Sequence, residues 1–243
     1  VKSCKPFPAP FKVMSFDLET SIEHNTILCA GVVFEDMKSN TRSKHIFSGN
    51  EKEILRDLTS IIRKEDPDII TGYNIDNFDI GRVVDRANLI AKKDKKVKSE
   101  LMGWGRVSSQ EENRTRASLF PNRGTARAWN LAGRCVMDAW WQARQALRPQ
   151  RETLSFVSNL LFPDNEDMQK MDVDASNMDE EWANRPEVVM EYCLRDAEIP
   201  IDIMHEIQAF RRKEAVAAVA KVPLDVSANG TTSQLIDSLV IRL

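Results

Sequence analysis

Cysteine is scarce in this 243-residue chain, and the four present (Cys4, Cys29, Cys135 and Cys193) lie far apart with no C-x-x-C pair. Two of them sit in apolar runs, where free thiols pack as small hydrophobes, so a disulfide scaffold is excluded and a reducing, intracellular compartment is favoured. Histidine is scarcer still: His24, His45 and His205 make no ligand-spaced pair, which argues against a zinc centre. No run approaches the roughly 18 uninterrupted apolar residues of a membrane span, and the opening VKSCKPFPAPF has no apolar signal-peptide core, so the sequence predicts a soluble protein with no membrane partner. Positive charge is not in excess. A net charge of −3 excludes a domain that holds nucleic acid by bulk attraction alone, although the basic run 92–98 (KKDKKVK) is a local patch that reads first as a solvated helix end and loop. There is no Walker-type loop, no nucleophile-elbow motif, no internal repeat and no low-complexity tract.

What is present is enough apolar residue, 42%, to bury a sizeable core. The stretches KVMSFDLETS, ILCAGVVFED (27–36) and SKHIFSG (43–49) read as a three-strand meander. Asn50 is placed to cap a helix, with Glu53 in capping-box position and Leu55, Leu58, Ile61 and Ile62 on its inner face. Pro67 ends it, DIITGY (68–73) reads as a buried strand, and Asn77 to Ala91 as a helix with Phe78, Val83, Val84, Ala87 and Ile90 apolar. Residues 92–128 are the least regular, with PNRG (121–124) as a hairpin turn in an expected insertion. RAWNLAGRCVMDAWW reads as a strand and then a helix, 151–162 as a further helix, and 163–181 as an acidic loop. A last long helix starts with Pro186 at its first position and runs past Lys213, interrupted at Pro200. The chain ends in the amphipathic pattern SQLIDSLVIRL, and the whole is read as a piece of something longer.

The chemistry begins with FDLET. Strand alternation sends Met14, Phe16 and Leu18 to one face and Val13, Ser15, Asp17 and Glu19 to the other, so two carboxylates project side by side from a strand that otherwise reads as core. Such burial is costly, and the alternatives are a solvated edge strand or a metal site. In the last helix, Val189, Cys193, Asp196 and Ile203 share a stripe, with Tyr192 one turn before Asp196. Asp79, in the first turn of a helix, is by itself explained by the helix dipole. Together the four acids, without His or Cys company, suit hard divalent cations such as Mg²⁺ or Mn²⁺.

FDLET, YNIDNFDI (73–80) and YCLRD (192–196), in this order and at these separations, resemble the three exonuclease motifs of family B DNA polymerases, the Asp-Glu-Asp-Asp exonucleases with tyrosine in the third motif. The resemblance extends to DPDIITGYN, to GR-x-x-MD at Gly133, Arg134, Met137 and Asp138, to YCLRDAEIP, and to TTSQLIDSLVIRL; WGRV (104–107) and the hairpin before GRCVMD are similar to archaeal and eukaryotic delta-like members. It implies a ribonuclease-H-like α/β fold, a mixed central β-sheet flanked by helices with a β-hairpin insertion. It also implies one 3′→5′ exonuclease domain over 1–243, a fragment of a larger polymerase, with the insertion at about 92–132. By the same resemblance Asp17 bridges two divalent metal ions, Mg²⁺ or Mn²⁺. Glu19 and Asp196 complete the site of the nucleophile-activating ion, Asp79 holds the second, and Tyr192 orients the attacking water. Leu18, Thr20, Asn74 and Phe78 contact the terminal nucleotides, with Leu18 and Phe78 equally readable as core. The implied partners are a single-stranded 3′ end of DNA, the remaining polymerase domains and, through them, a sliding clamp; the implied location is the nucleus in a eukaryote or the cytoplasm and nucleoid otherwise. No polymerase Asp-Thr-Asp motif is present, so nucleotide addition does not reside in these residues. Two rivals remain at this point: a catalytically silent exonuclease-like DNA-binding domain, and a stand-alone RNA-directed nuclease.

Overall fold

A computed structural model describes residues 8–106, 111–115, 127–164 and 173–241. Strands β1 (Lys12–Thr20), β2 (Ile27–Asp36), β3 (Thr41–Ser48), β4 (Ile69–Thr71) and β7 (Cys135–Val136) form one mixed sheet in the order β3-β2-β1-β4-β7. β1 to β3 are the antiparallel meander, and β4 and β7 add to β1 in parallel. The crossover from β3 to β4 is α1 (Glu51–Glu65), capped as its sequence suggests by the Asn50 side chain accepting from Lys52 N–H, and closed by Asp66 in left-handed conformation before Pro67. Ile54, Leu55, Leu58 and Ile62 are its fully buried stripe, whereas Ile61 packs at the margin.

Two layers of helix cover the sheet. Met14, Phe16 and Leu18 of β1 face a core with α1, α2 (Asp79–Ala91) and α3 (Lys95–Met102). Trp104 closes it edge-on to Phe16, with ring centroids 5.4 Å apart, and its buried N–H is satisfied by Thr59 Oγ1. Val13 and Ile69 on the opposite face pack with α4 (Ala139–Leu147), α5 (Leu154–Leu161), α7 (Pro186–Glu206) and α8 (Ala209–Ala220). A short α6 (Met178–Asn184) precedes α7, while α9 (Leu224–Asn229) and α10 (Thr232–Ile241) end the described chain.

The departures from the sequence reading are local. Residues 95–102, expected to be irregular, form α3, because Asp94 caps it and Leu101 and Met102 reach the core. Lys92 to Lys96 are exposed, the solvated run expected. The hairpin is β5 (Glu111–Thr115) with β6 (Arg127–Leu131), and its expected turn at 121–124 lies outside the described residues, as do Cys4, Val107 and residues 165–172 of the acidic loop. The rest of that loop is structured, with a 3₁₀ turn at Ala175–Asn177 leading into α6. Pro200 does not interrupt the last helix. It costs one backbone hydrogen bond but is buried with Ile199 and Ile201 against the sheet, and the break comes instead where Gln208 adopts left-handed conformation.

Candidate active site

β4 pairs with β1 only over Val13–Ser15 and ends at Thr71. Beyond Ser15, β1 keeps β2 on one side but loses its parallel neighbour on the other, and the gap opens at the carboxyl ends of two parallel strands, where open α/β sheets place their ligands. Asp17 and Glu19 lie on this unpaired half of β1. A β-bulge between Glu19 and Thr20 further bends the strand. They need not be a solvated edge: both are half-buried, and Ser15 behind them is fully buried.

Two other segments close the gap. The chain after β4 turns through Asn74, whose φ of 66° is left-handed, a conformation asparagine tolerates. The Asp138 carboxylate fixes this turn by accepting from the N–H groups of Asn74 (2.8 Å) and Asp76 (3.0 Å), while also capping α4 through Trp140 N–H. The turn delivers Asp79 to the start of α2, where its Oδ1 accepts from Leu18 N–H at 3.2 Å, tying the second acid-bearing segment to the first. From the other side comes α7. Gly31, opposite Asp17 on β2, lets it approach: a Cβ there would stand 2.7 Å from the Cys193 carbonyl oxygen and 2.9 Å from Leu194 Cα. Gly31 N–H donates to Cys193 Sγ, which donates to the Asp17 carbonyl, so the helix is pinned with Tyr192 and Asp196 facing the gap.

The result is a cleft of about 430 Å³ lined by Asp17, Leu18, Glu19, Thr20, Asn74, Phe78, Asp79, Tyr192 and Asp196, all nine residues singled out from sequence. Of the two residues readable either as core or as nucleotide contacts, Leu18 is 8% exposed and packs into the core, whereas Phe78 is the non-helical residue before α2 and is 68% exposed at the cleft. Five further residues line it: Tyr73, Arg82, Glu152, Thr153 and Leu154. Tyr73 belongs to the quoted motif, and its hydroxyl donates to the Glu152 carbonyl, fixing the start of α5 as the far wall. Asp138 is visible in GR-x-x-MD, but the N–H groups of Asn74 and Asp76 that it accepts from are brought to it only by the folded chain.

The electrostatics are lopsided. Burial, followed by the charges of Glu19, Asp79 and Asp196, pushes Asp17 well above the ordinary carboxylate range. Burial and the charges of Asp196 and Asp79 raise Glu19 to about 8. Burial raises Asp79 to about 7 against the backbone N–H groups that bond it, and Asp196 to about 6 against the Tyr192 hydroxyl and the Arg195 charge. Burial and the Asp196 charge push the Tyr192 hydroxyl upward, so it stays a donor. Among the described residues, neither lysine nor histidine lines the cleft. A set of hard oxygen donors whose proton affinity burial and mutual repulsion raise, against the partial relief of Arg82 and Arg195, fits divalent cations. Oxygens of Asp17 and Glu19 lie within 4.8 Å of one another and of Cys193 Sγ. That thiol is a poor candidate ligand, because burial raises its pKa and its hydrogen bonds are used to dock α7.

The class these features define is the ribonuclease-H-like α/β domain with a carboxylate-lined cleft. The family model "DNA polymerase family B, exonuclease domain" matches residues 29–157, and the chain belongs to that family. Asp17, Glu19, Tyr192 and Asp196 lie outside the matched stretch. The chain is 32% identical over 183 residues to the DNA polymerase delta catalytic subunit of Bos taurus, covering 72% of this chain and 15% of that protein. It is 27% identical over 245 residues to the subunit of the same name from Candida albicans, covering 88% and 23%. It also superposes on the family B DNA polymerase of the archaeon Pyrobaculum calidifontis with a TM-score of 0.74 at 18% identity, covering 98% of this chain and 29% of that one. The chain thus spans less than a quarter of the length of these two curated relatives. No helix of the described residues is long and apolar enough to cross a membrane.

Proposed function

We propose that this chain is a 3′→5′ proofreading exonuclease, one domain over 1–243 of a longer replicative polymerase, which removes nucleotides from single-stranded or mismatched DNA 3′ ends. The observation that carries the reading is the convergence of four carboxylates and Tyr192, from three segments far apart in sequence, in one cleft of a family B exonuclease fold. Asp17, Glu19, Asp79 and Asp196 would hold two divalent ions, Mg²⁺ or Mn²⁺. When bound, such ions lower the pKa of a water and neutralise charge on the attacking and leaving oxygens.

The chain's own residues do the rest. Tyr192, protonated and hydrogen-bonded to Asp196, presents a hydroxyl that orients the attacking water. Phe78 is free to stack on a terminal base, while Leu18, Thr20 and Asn74 bound the space where the last nucleotides lie. In-line attack on phosphorus breaks the P–O3′ bond and releases a nucleoside monophosphate. Among recessed ends, the cleft accepts those that fray, because a terminal phosphodiester must leave the stack to reach acids recessed between β1, α2 and α7. The partners are the 3′ end, the remaining polymerase domains and a sliding clamp engaged through them, at the site of DNA replication.

The test is incubation with 5′-labelled single-stranded DNA, RNA, and matched and mismatched primer ends, with Mg²⁺, Mn²⁺ or EDTA. The expected result is metal-dependent shortening of DNA from the 3′ end, faster at mismatches and lost in Asp17→Ala. Binding without cleavage would instead mark a silent domain, and preference for RNA a stand-alone ribonuclease.

A further inference from the structure

Among the described residues, the cleft wall carries one cation, Arg82. Arg82 follows Asp79 by three residues, so the two share a face of α2, and Arg82 lines the cleft with the acids. Its backbone N–H continues the helix by donating to the Phe78 carbonyl at 2.8 Å, but its guanidinium makes no hydrogen bond or ion pair among the described residues. Its charge reaches Asp79 only through space. The contrast with the next turn is instructive. Arg86 closes a two-point fork on Glu51, with both N–O distances 2.7 Å, and so ties α2 to α1. Thus α2 commits one arginine to the fold and leaves the other at the mouth of an acidic cavity, beside the exposed ring of Phe78.

A nucleic acid strand brings one negative charge per nucleotide into a cleft that already repels it. A guanidinium fork matches two phosphate oxygens and binds them with charge-assisted hydrogen bonds, which an ammonium reproduces poorly. We propose that Arg82 takes a phosphate of the substrate strand at or next to the cleavage point, and so aligns the 3′ end over the four acids. This inference rests on the exonuclease reading above. It makes Arg82 a strand-positioning residue, since nothing places it at the reacting atoms.

The experiment measures binding of a 3′-ended single-stranded oligonucleotide without divalent metal, where nothing is cleaved, by fluorescence anisotropy across a salt series. Arg82→Gln should raise Kd roughly 5- to 50-fold, as for the loss of one charge-assisted contact. It should also flatten the slope of log Kd against log salt by about 0.7, the contribution of one phosphate on a single strand. Arg82→Lys should restore the slope and only part of the affinity. Neutral methylphosphonate linkages, scanned along the last three positions, should weaken the parent at one position and cost Arg82→Gln nothing further there. A weaker Kd with an unchanged salt slope would overturn the proposal, as would parent-like binding by Arg82→Gln while the parent chain cleaves DNA. A parent that neither binds nor cleaves single-stranded DNA would overturn the exonuclease reading, and this inference with it.

Discussion

Without metal, the acid cluster should make this protein less stable as pH rises. Glu19, Asp79 and Asp196 are held at about 8, 7 and 6 in the folded chain, against ordinary values of 4.5, 3.8 and 3.8. An acid whose folded pKa is raised binds more protons folded than unfolded. Its penalty is therefore absent below the unfolded pKa and fully expressed above the folded one, and stability falls with pH throughout that window. One extra bound proton is worth about 1.4 kcal/mol per pH unit. Asp17, Glu19 and Asp196 are half-buried at an open cleft, and solvent screening reduces the effect to about 1 kcal/mol per unit between pH 6 and 8. For a chain of this size each kcal/mol moves Tm by about 2–4 °C, so Tm should drop by about 4–8 °C from pH 6 to pH 8. The assay is thermal melting by circular dichroism in EDTA at fixed ionic strength, comparing the parent with Asp17→Asn/Glu19→Gln. The variant's profile should be flatter. Adding Mg²⁺ or Mn²⁺ to the parent should raise Tm more at pH 8 than at pH 6, because protons no longer compete for the ligands. A parent profile in EDTA that is flat or rising over this range, with the variant the same, would refute the reasoning.

Gly31→Val should uncouple the site without touching it: a side chain opposite Asp17 pushes into the Cys193 carbonyl, lifts α7 with Tyr192 and Asp196, and should cost about 1–3 kcal/mol, read by denaturant unfolding, with nuclease activity falling far more than stability. Tyr192→Phe should slow DNA cleavage roughly 10- to 1,000-fold, by analogy with other single positioning hydrogen bonds, and less than Asp17→Ala; equal losses in single-turnover assays would mean the hydroxyl assembles the site. Ser15→Ala should stabilise the chain by about 1 kcal/mol in urea titration, since Ser15 Oγ is buried without a hydrogen-bond partner among the described residues; marked destabilisation would show that the hydroxyl is satisfied.

The sequence by itself determined the periodic elements and the identity of the acids. Alternation in KVMSFDLET assigns Met14, Phe16 and Leu18 to the core and sets Asp17 and Glu19 together, because a strand turns each side chain by half a revolution whatever surrounds it. The Asn50 cap and the inward Leu55, Leu58 and Ile62 were legible for the same reason, as short-range properties of the chain, whereas Ile54 joined the buried stripe and Ile61 fell to its margin. Elements whose existence depends on distant partners were not. Helix α3 forms because Leu101 and Met102 find the core, and α7 runs through Pro200 because burial against the sheet outweighs one lost hydrogen bond. Tertiary structure alone decided the site. Only in the fold does β4 stop short and open a gap beside Asp17, does Asp138 gather the N–H groups of Asn74 and Asp76, and does Gly31 let α7 close on β2. Whether Phe78 is core or cleft, and whether Arg82 is paired or free to meet a phosphate, likewise turned on the starting point of α2 and on which arginine reached Glu51. Spacing along a chain fixes the direction of a side chain relative to its own element; what it meets is fixed by the packing of elements against one another.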